Sequence, residues 1–353
     1  MSFQKKESRN NNYKKSFQWL IIDLDHVLTR HYNGLKHHFQ NINPEKYHQG
    51  YQWDCDVTFL NELRIHTQKK IRGIVSVNKI NPKRVILIND NIQSETTDWM
   101  WRTSLWSDWA LKFKNDYYTC RLGTMYSQLL TMGLNDFFKI EEYTYFNYLD
   151  FEADDVIAII TKSILDKYPN DTLFIVTHDS DFYQLISDKT TILNLDGVAE
   201  PERHYSTGQE NLWFNIIGGK MSNKVPGLKF KKDLLKDFLG SYYDYEQNPD
   251  VDNEYYRRVS RQEQHYLVCN LDRSIKWITE TPDLIENDQH IINQKILDFK
   301  EIPIKYTNII SQSFWKKYSN LDDQQPIPNP KVAKFEKKEK KTYNNPFAIL
   351  TVE

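Results

Sequence analysis

Cysteine is scarce in this chain. Cys55, Cys120 and Cys269 are the only three in 353 residues. They are odd in number and unpaired in spacing, which excludes a disulfide framework or a structural zinc site and indicates a reducing compartment. Long apolar runs are missing too: none approaches membrane-spanning length, and the polar, basic amino terminus has no apolar signal region. These absences predict a soluble intracellular protein without a membrane partner, placed in the cytoplasm of a bacterial or infected cell or in a eukaryotic nucleus. No internal repeat is visible, and no large excess of either charge exists.

The formal charge of −2 hides strong segregation. Lys5, Lys6, Arg9, Lys14 and Lys15 face Glu7 alone; Lys220, Lys224, Lys229, Lys231, Lys232 and Lys236 face Asp233. Six lysines between Lys331 and Lys341 face Glu336 and Glu339. Basic surfaces beside an acidic centre suit a metal-dependent enzyme acting on a polyanion. An ordinary solvated surface gives the same totals, so composition alone decides little.

The acidic centre lies between Asp150 and Leu185. Glu152, Asp154, Asp155, Asp179 and Asp181 fall within a span of 30 residues. Val156, Ile157, Ile159, Ile160 and Ile164 recur at helical spacing, so the first acids open an amphipathic helix. Leu173–Val176 is a short apolar run of buried-strand type. Asp179 and Asp181 follow its carboxyl end, where open α/β sheets place ligands. Convergent carboxylates repel unless a cation is present, and an all-oxygen set suits Mg²⁺ or Mn²⁺. An acidic helix start followed by a solvated loop explains Asp154 or Asp181 alone, but explains the two clusters together poorly.

Along the chain, residues 1–15 read as a disordered basic leader. Trp19–Ile22 is a strand ending in Asp23, and Arg84–Ile88 a second strand ending at Asn89-Asp90. Residues 31–54, rich in His, Asn, Gln and Tyr, read as an irregular loop or insertion. Residues 92–118 hold Trp99, Trp101, Trp106 and Trp109 with Arg102 and Lys112; they form either a packing helix or an arch that stacks on bases. The alternating pattern predicts a mostly parallel α/β sheet with helices on both faces over residues 16–217. A largely helical region follows over 218–320, and a Pro/Lys-rich flexible tail over 321–353. Acids then stand after three strands on one sheet edge.

These residues resemble the 5′ nuclease superfamily, the flap endonucleases and 5′→3′ exonucleases, and within it the ribonuclease H type of T-even phages. The resemblance rests on Trp19-Leu20-Ile21-Ile22-Asp23, Val85-Ile86-Leu87-Ile88-Asn89-Asp90, Glu152-Ala153-Asp154-Asp155 and Asp179-Ser180-Asp181 with Gln184-Leu185. It implies a PIN-like 5′ nuclease core and a monomer acting on DNA or RNA·DNA with 5′ ends, nicks or flaps, such as RNA primers, in replication or repair. Asp23, Asp90, Glu152, Asp154 and Asp179 would hold one divalent ion, Asp181 and Asp155 a second. Val225-Pro226-Gly227-Leu228 before Lys229, Lys231 and Lys232 resembles the family's helix-turn-helix that grips duplex phosphates, with Lys224 beside it. The tail either tethers a single-strand binding protein or clamp or is simply a disordered end.

One departure stands out. The family carries two further acids where this chain has Lys220 and Asn223, so the resemblance implies one firmly held ion and leaves the second in doubt. Either Lys220 supplies fixed positive charge, or Asp196 or Asp233 replaces the lost acids, or the chain is a weakly active or inactive factor that binds branched DNA. A second resemblance, of Asp23-Leu24-Asp25-His26-Val27-Leu28-Thr29 to haloacid-dehalogenase-type phosphatases, leaves the Glu152–Asp155 helix start unexplained.

Overall fold

Short β-branched runs separated by amphipathic segments become parallel strands, because each can be covered on both faces by the helices that connect them. The computed structural model describes residues 16–48, 51–90, 128–148, 151–201, 204–220, 225–243 and 255–318. Strands β1 (Gln18–Asp23), β2 (Val85–Ile88), β3 (Thr144–Phe146), β4 (Thr172–Val176) and β5 (Thr190–Leu193) form one sheet in the order β3-β2-β1-β4-β5. Every neighbouring pair is parallel, with Asp23 level with Ile88 and Ile22 level with Val176. Strand order reverses between β1 and β4, so a crevice is expected at their carboxyl ends.

Alternation along β1 divides its side chains between two layers. Leu20 and Ile22 join the core beneath α1 (Leu24–Ile42), α2 (Val57–Asn78) and α3 (Asn135–Ile140). Trp19 points to the other face and stacks on Tyr168, at the end of α4 (Ala153–Lys167), with ring centroids 6.1 Å apart. Each such fully buried aliphatic side chain stabilises the fold by about 1.5–3 kcal/mol. At the opposite end of the sheet from the acids, buried Asp171 accepts hydrogen bonds from the Phe17 amide at 2.8 Å and Trp19 Nε1 at 2.9 Å, and meets Arg84 Nη1 at 3.4 Å. One carboxylate thereby fixes the starts of β1, β2 and β4.

The expected loop over 31–54 is in part helix. α1 continues to Ile42 because Leu24, Val27, Leu28 and Leu35 form one buried stripe, while Phe39 packs edge-on against Tyr47, Trp53 and Phe59. The polar residues that suggested a loop cover the outer face.

After β5 and the 3₁₀ turn Ser180–Leu185 that precedes it, helix dominates. α5 (Gly208–Gly218), α6 (Lys232–Leu239), α7 (Arg261–Cys269), α8 (Leu271–Glu280), α9 (Gln289–Leu297) and α10 (Ile304–Tyr318) follow. The largely helical region expected over 218–320 also contains a short strand, β7 (Tyr256–Arg258), which pairs antiparallel with β6 (Lys229–Lys231). A second apolar cluster, including Ile216, Leu228, Phe230, Leu267 and Ile296, holds this region together. The described residues up to Lys316 form one compact unit. The Trp-rich segment with Arg102 and Lys112, the leader, Asn223, Lys224 and the tail lie outside the described residues.

Candidate metal centre

Asp23 ends β1 and caps α1, accepting a hydrogen bond from the His26 amide at 3.3 Å. Its Oδ2 accepts from Thr177 Oγ1 at 2.9 Å, and the same hydroxyl oxygen accepts from the Asp179 amide at 3.0 Å. Thr177 thus joins the ends of β1 and β4 across the switch point. Beyond β2, the Asp90 amide donates to Asp25 Oδ2 at 2.5 Å, and Asp90 Oδ1 accepts from the Ala153 amide at 2.6 Å. That bond holds a carboxylate at the N-terminus of α4, where free amides favour an anion.

Glu152 is the cap residue of α4, with Asp154 and Asp155 in its first turn. Asp179 is extended and caps the 3₁₀ turn, accepting from the Asp181 amide at 2.9 Å. These local bends bring one carboxylate oxygen each from Asp154, Asp179 and Asp181 within 4.8 Å of one another. Asp23 and Asp90 lie close enough to act on Asp154, and Glu152 acts on Asp90, but none of these, nor Asp155, is part of the trio. Asp155 is 2 % exposed; it leaves α4 about 100° round from Asp154.

The electrostatics divide the centre in two. Burial raises Asp23, with the Asp179 charge adding and His26 and Thr177 opposing. Burial, then the Asp25 charge, lifts Asp90 well above the ordinary carboxylate range. Asp154 is lifted well above it by burial and by Asp179, Asp23, Asp181 and Asp90. Burial also pushes Asp179 upward, but the Lys220 ammonium reverses this and holds the carboxyl below its usual value. Lys220 itself is pulled down by burial and carried above its ordinary value by Asp181 and Asp179.

Lys220 Nζ lies 2.6 Å from Asp179 Oδ1 and is also ion-paired with Asp181. The backbone aims it there. α5 ends at Gly219, whose φ of 74° and ψ of 170° fall in a region that is essentially glycine-only. Lys220 and Val225 then exchange two backbone hydrogen bonds, of 2.8 and 3.0 Å. From α9, Asn293 Nδ2 donates to Ile216 O at 2.9 Å and Pro226 O at 2.8 Å. A Cβ on Gly227 would lie 2.7 Å from Gly218 O, so this glycine serves close backbone packing within the turn.

The remaining expected residues are more dispersed. Lys229 pairs with Glu286 at 2.9 Å, and Lys229–Lys231 is strand, so α6 starts only at Lys232. Asp196 is ion-paired with Lys70 and Asp233 is exposed on α6; neither is part of the three-carboxylate group. Thr177, Asp25 and Asn293 were not among the residues expected at the site. Thr177 was visible as the hydroxyl two residues before Asp179, and Asp25 as the second acid after β1. Asn293 left no signal, since its partners are backbone carbonyls distant in sequence.

Residues 130–212 match the family model of the 5′-3′ exonuclease N-terminal resolvase-like domain. The match supports the 5′ nuclease superfamily as the one this chain resembles. The matched segment holds Glu152, Asp154, Asp155, Thr177, Asp179 and Asp181, and it decides between the two resemblances in favour of the nucleases. Among solved structures, the bacteriophage T5 D15 protein co-crystallised with metal ions is 12% identical, with a TM-score of 0.45. A pseudo-enzyme–product complex of the T5 D15 flap endonuclease with DNA and metal ions gives the same values. The T5 5′-exonuclease with bound zinc is 13% identical, with a TM-score of 0.40. Each alignment covers 85% of this chain and 98% of the other. At these scores the structures add no weight to the family match. No curated protein matches the chain.

Proposed function

We propose that this 5′ nuclease is an active, divalent-metal-dependent phosphodiesterase that cuts near 5′ ends, on flaps, nicks or RNA primers in replication or repair. The observation that carries the reading is the convergence of Asp154, Asp179 and Asp181 at the switch point, ringed by Asp23 and Asp90. The donor set is all carboxylate, which fits a hard cation such as Mg²⁺ or Mn²⁺. Asp90 and Asp154, lifted by burial first and then by the carboxylates around them, mark the side where positive charge is lacking. When bound there, the ion would acidify a water and stabilise charge at phosphorus.

The Asp179–Asp181 side calls less strongly for a second ion, because Lys220 already pairs with both carboxylates and offsets one of their two charges. In this reading Lys220 is a tethered cation that faces the scissile phosphate with fixed positive charge. Thr177 keeps Asp23 and Asp179 in register, and the Ala153 amide holds Asp90 at the helix start and partly opposes the rise that burial causes.

The Lys220 ion pairs also favour a second reading, a branched-DNA-binding factor that holds forks without cutting. A 5′-labelled flap substrate with Mg²⁺ or Mn²⁺ separates the two. Short 5′ products that disappear in Asp179→Ala are expected. Tight binding with no product at any metal concentration would leave only the binding factor.

A further inference from the structure

Away from the acids, an open groove of about 520 Å³ runs between α1, α2 and the turn after β5. Arg30, His31 and His38 enter it from α1, His66 and Lys70 from α2, and Asp196 from the turn. None of them belongs to the metal centre. Arg30 and Lys70 are permanent cations facing one carboxylate, Asp196, which is ion-paired with Lys70. His66 lies 3.8 Å from Glu62, outside the groove.

His31 carries the imprint of this positive field. Burial, then His66, Lys70 and Arg30, push its pKa down to about 4, against the opposing pull of Asp196. A neutral imidazole offers an N–H to an anion's oxygen, and guanidinium and ammonium groups bind phosphate by charge. Among the described residues, no three metal-type ligands converge here, so an anion rather than a metal ion suits the lining.

Position supplies the identity of the anion. Asp196 follows β5 on the sheet edge where Asp23 and Asp179 also lie, two strands away from β1, or roughly 10 Å at about 4.8 Å per strand. Along α1, His31 is eight residues beyond Asp23, about 12 Å at 1.5 Å per residue. That is about three to four steps of a stacked strand at roughly 3.4 Å per nucleotide.

We propose that the groove is a phosphodiester-binding track, taking backbone phosphates of the nucleic-acid strand whose cleavable bond lies at the acid cluster. It rests on the nuclease reading for the identity of that strand.

The test uses the full chain in EDTA with a fluorescent single-stranded oligonucleotide, so that no cleavage intervenes. Lys70→Met should weaken binding by about fivefold to tenfold and lower the salt slope by about one. Asp196→Asn should tighten binding by a similar factor, since it frees Lys70. Opposite signs from the two partners of one ion pair cannot come from misfolding. By NMR, the pKa of His31 should rise on adding the oligonucleotide, and rise far less with inorganic phosphate at equal concentration. An unchanged salt slope in Lys70→Met, weaker binding in Asp196→Asn, or an equal response of His31 to inorganic phosphate would each overturn the proposal. A flap assay without products, beside the expected shifts in binding, would sink the nuclease reading and leave the track standing.

Discussion

Lys220 has only 11% of its side chain exposed and touches two carboxylates of the cluster. A buried ammonium is retained only when paired, and the converse holds for its partners. Lys220→Met leaves Asp179 and Asp181 facing each other without a cation, and should cost about 3 kcal/mol in metal-free protein. Mn²⁺ should restore more stability to this variant than to the parent. Lys220→Asp adds a ligand where the ammonium stood and should raise divalent affinity about tenfold or more, because the charge count sets affinity. Thermal denaturation with and without Mn²⁺, together with a Mn²⁺ titration, reads both effects. Titrations that superimpose on the parent would show that the ammonium does not compete with the ion.

At the scale of elements, the turn between α5 and β6 is a pedestal for that one side chain. A Cβ on Gly219 would stand 2.3 Å from the Gly227 amide nitrogen, and its backbone region costs other residues about 1–3 kcal/mol before any clash. Gly219→Ala should therefore destabilise the protein by about 3 kcal/mol or more, and should shift the Mn²⁺ titration in the direction of Lys220→Met. Loss of stability with an unmoved titration would mean that Lys220 finds its place without the pedestal. The same elements show where local patterns mislead. Lys229, Phe230 and Lys231 look like a helix approach, but Phe230 is fully buried and the three residues pair with β7. Burial of Phe230 and pairing with a strand some 25 residues away override local propensity.

At the scale of the molecule, ion binding and folding are linked. The native state gathers the carboxylates and the unfolded chain disperses them, so a divalent ion stabilises only the former. At about one hundred times its dissociation constant, Mn²⁺ should add about 2.7 kcal/mol, a rise of several degrees in Tm. Asp154→Asn should shrink that rise while raising the Tm of the metal-free protein, because it removes a carboxylate that Asp179, Asp23, Asp181 and Asp90 all repel. A metal-induced rise equal to the parent's would exclude Asp154 from the ion's ligands.

The sequence by itself determined the strands, the helix opened by Ala153 and the acids that follow β1, β2 and β4. These depend on apolar periodicity, which is local and strong. It also marked Lys220 as out of place among those acids. Only the tertiary structure decided what Lys220 does there, since its contacts to Asp179 and Asp181 cross some 40 residues and depend on the turn and on Asn293 from α9. The groove was equally illegible: its cations come from α1 and α2, its carboxylate from the turn after β5, and residues 31–42 read as loop until Leu35 and Phe39 were seen packed. Side-chain periodicity determines which faces are buried. Which charges then meet is set by how the buried faces stack, and no short window of sequence contains that.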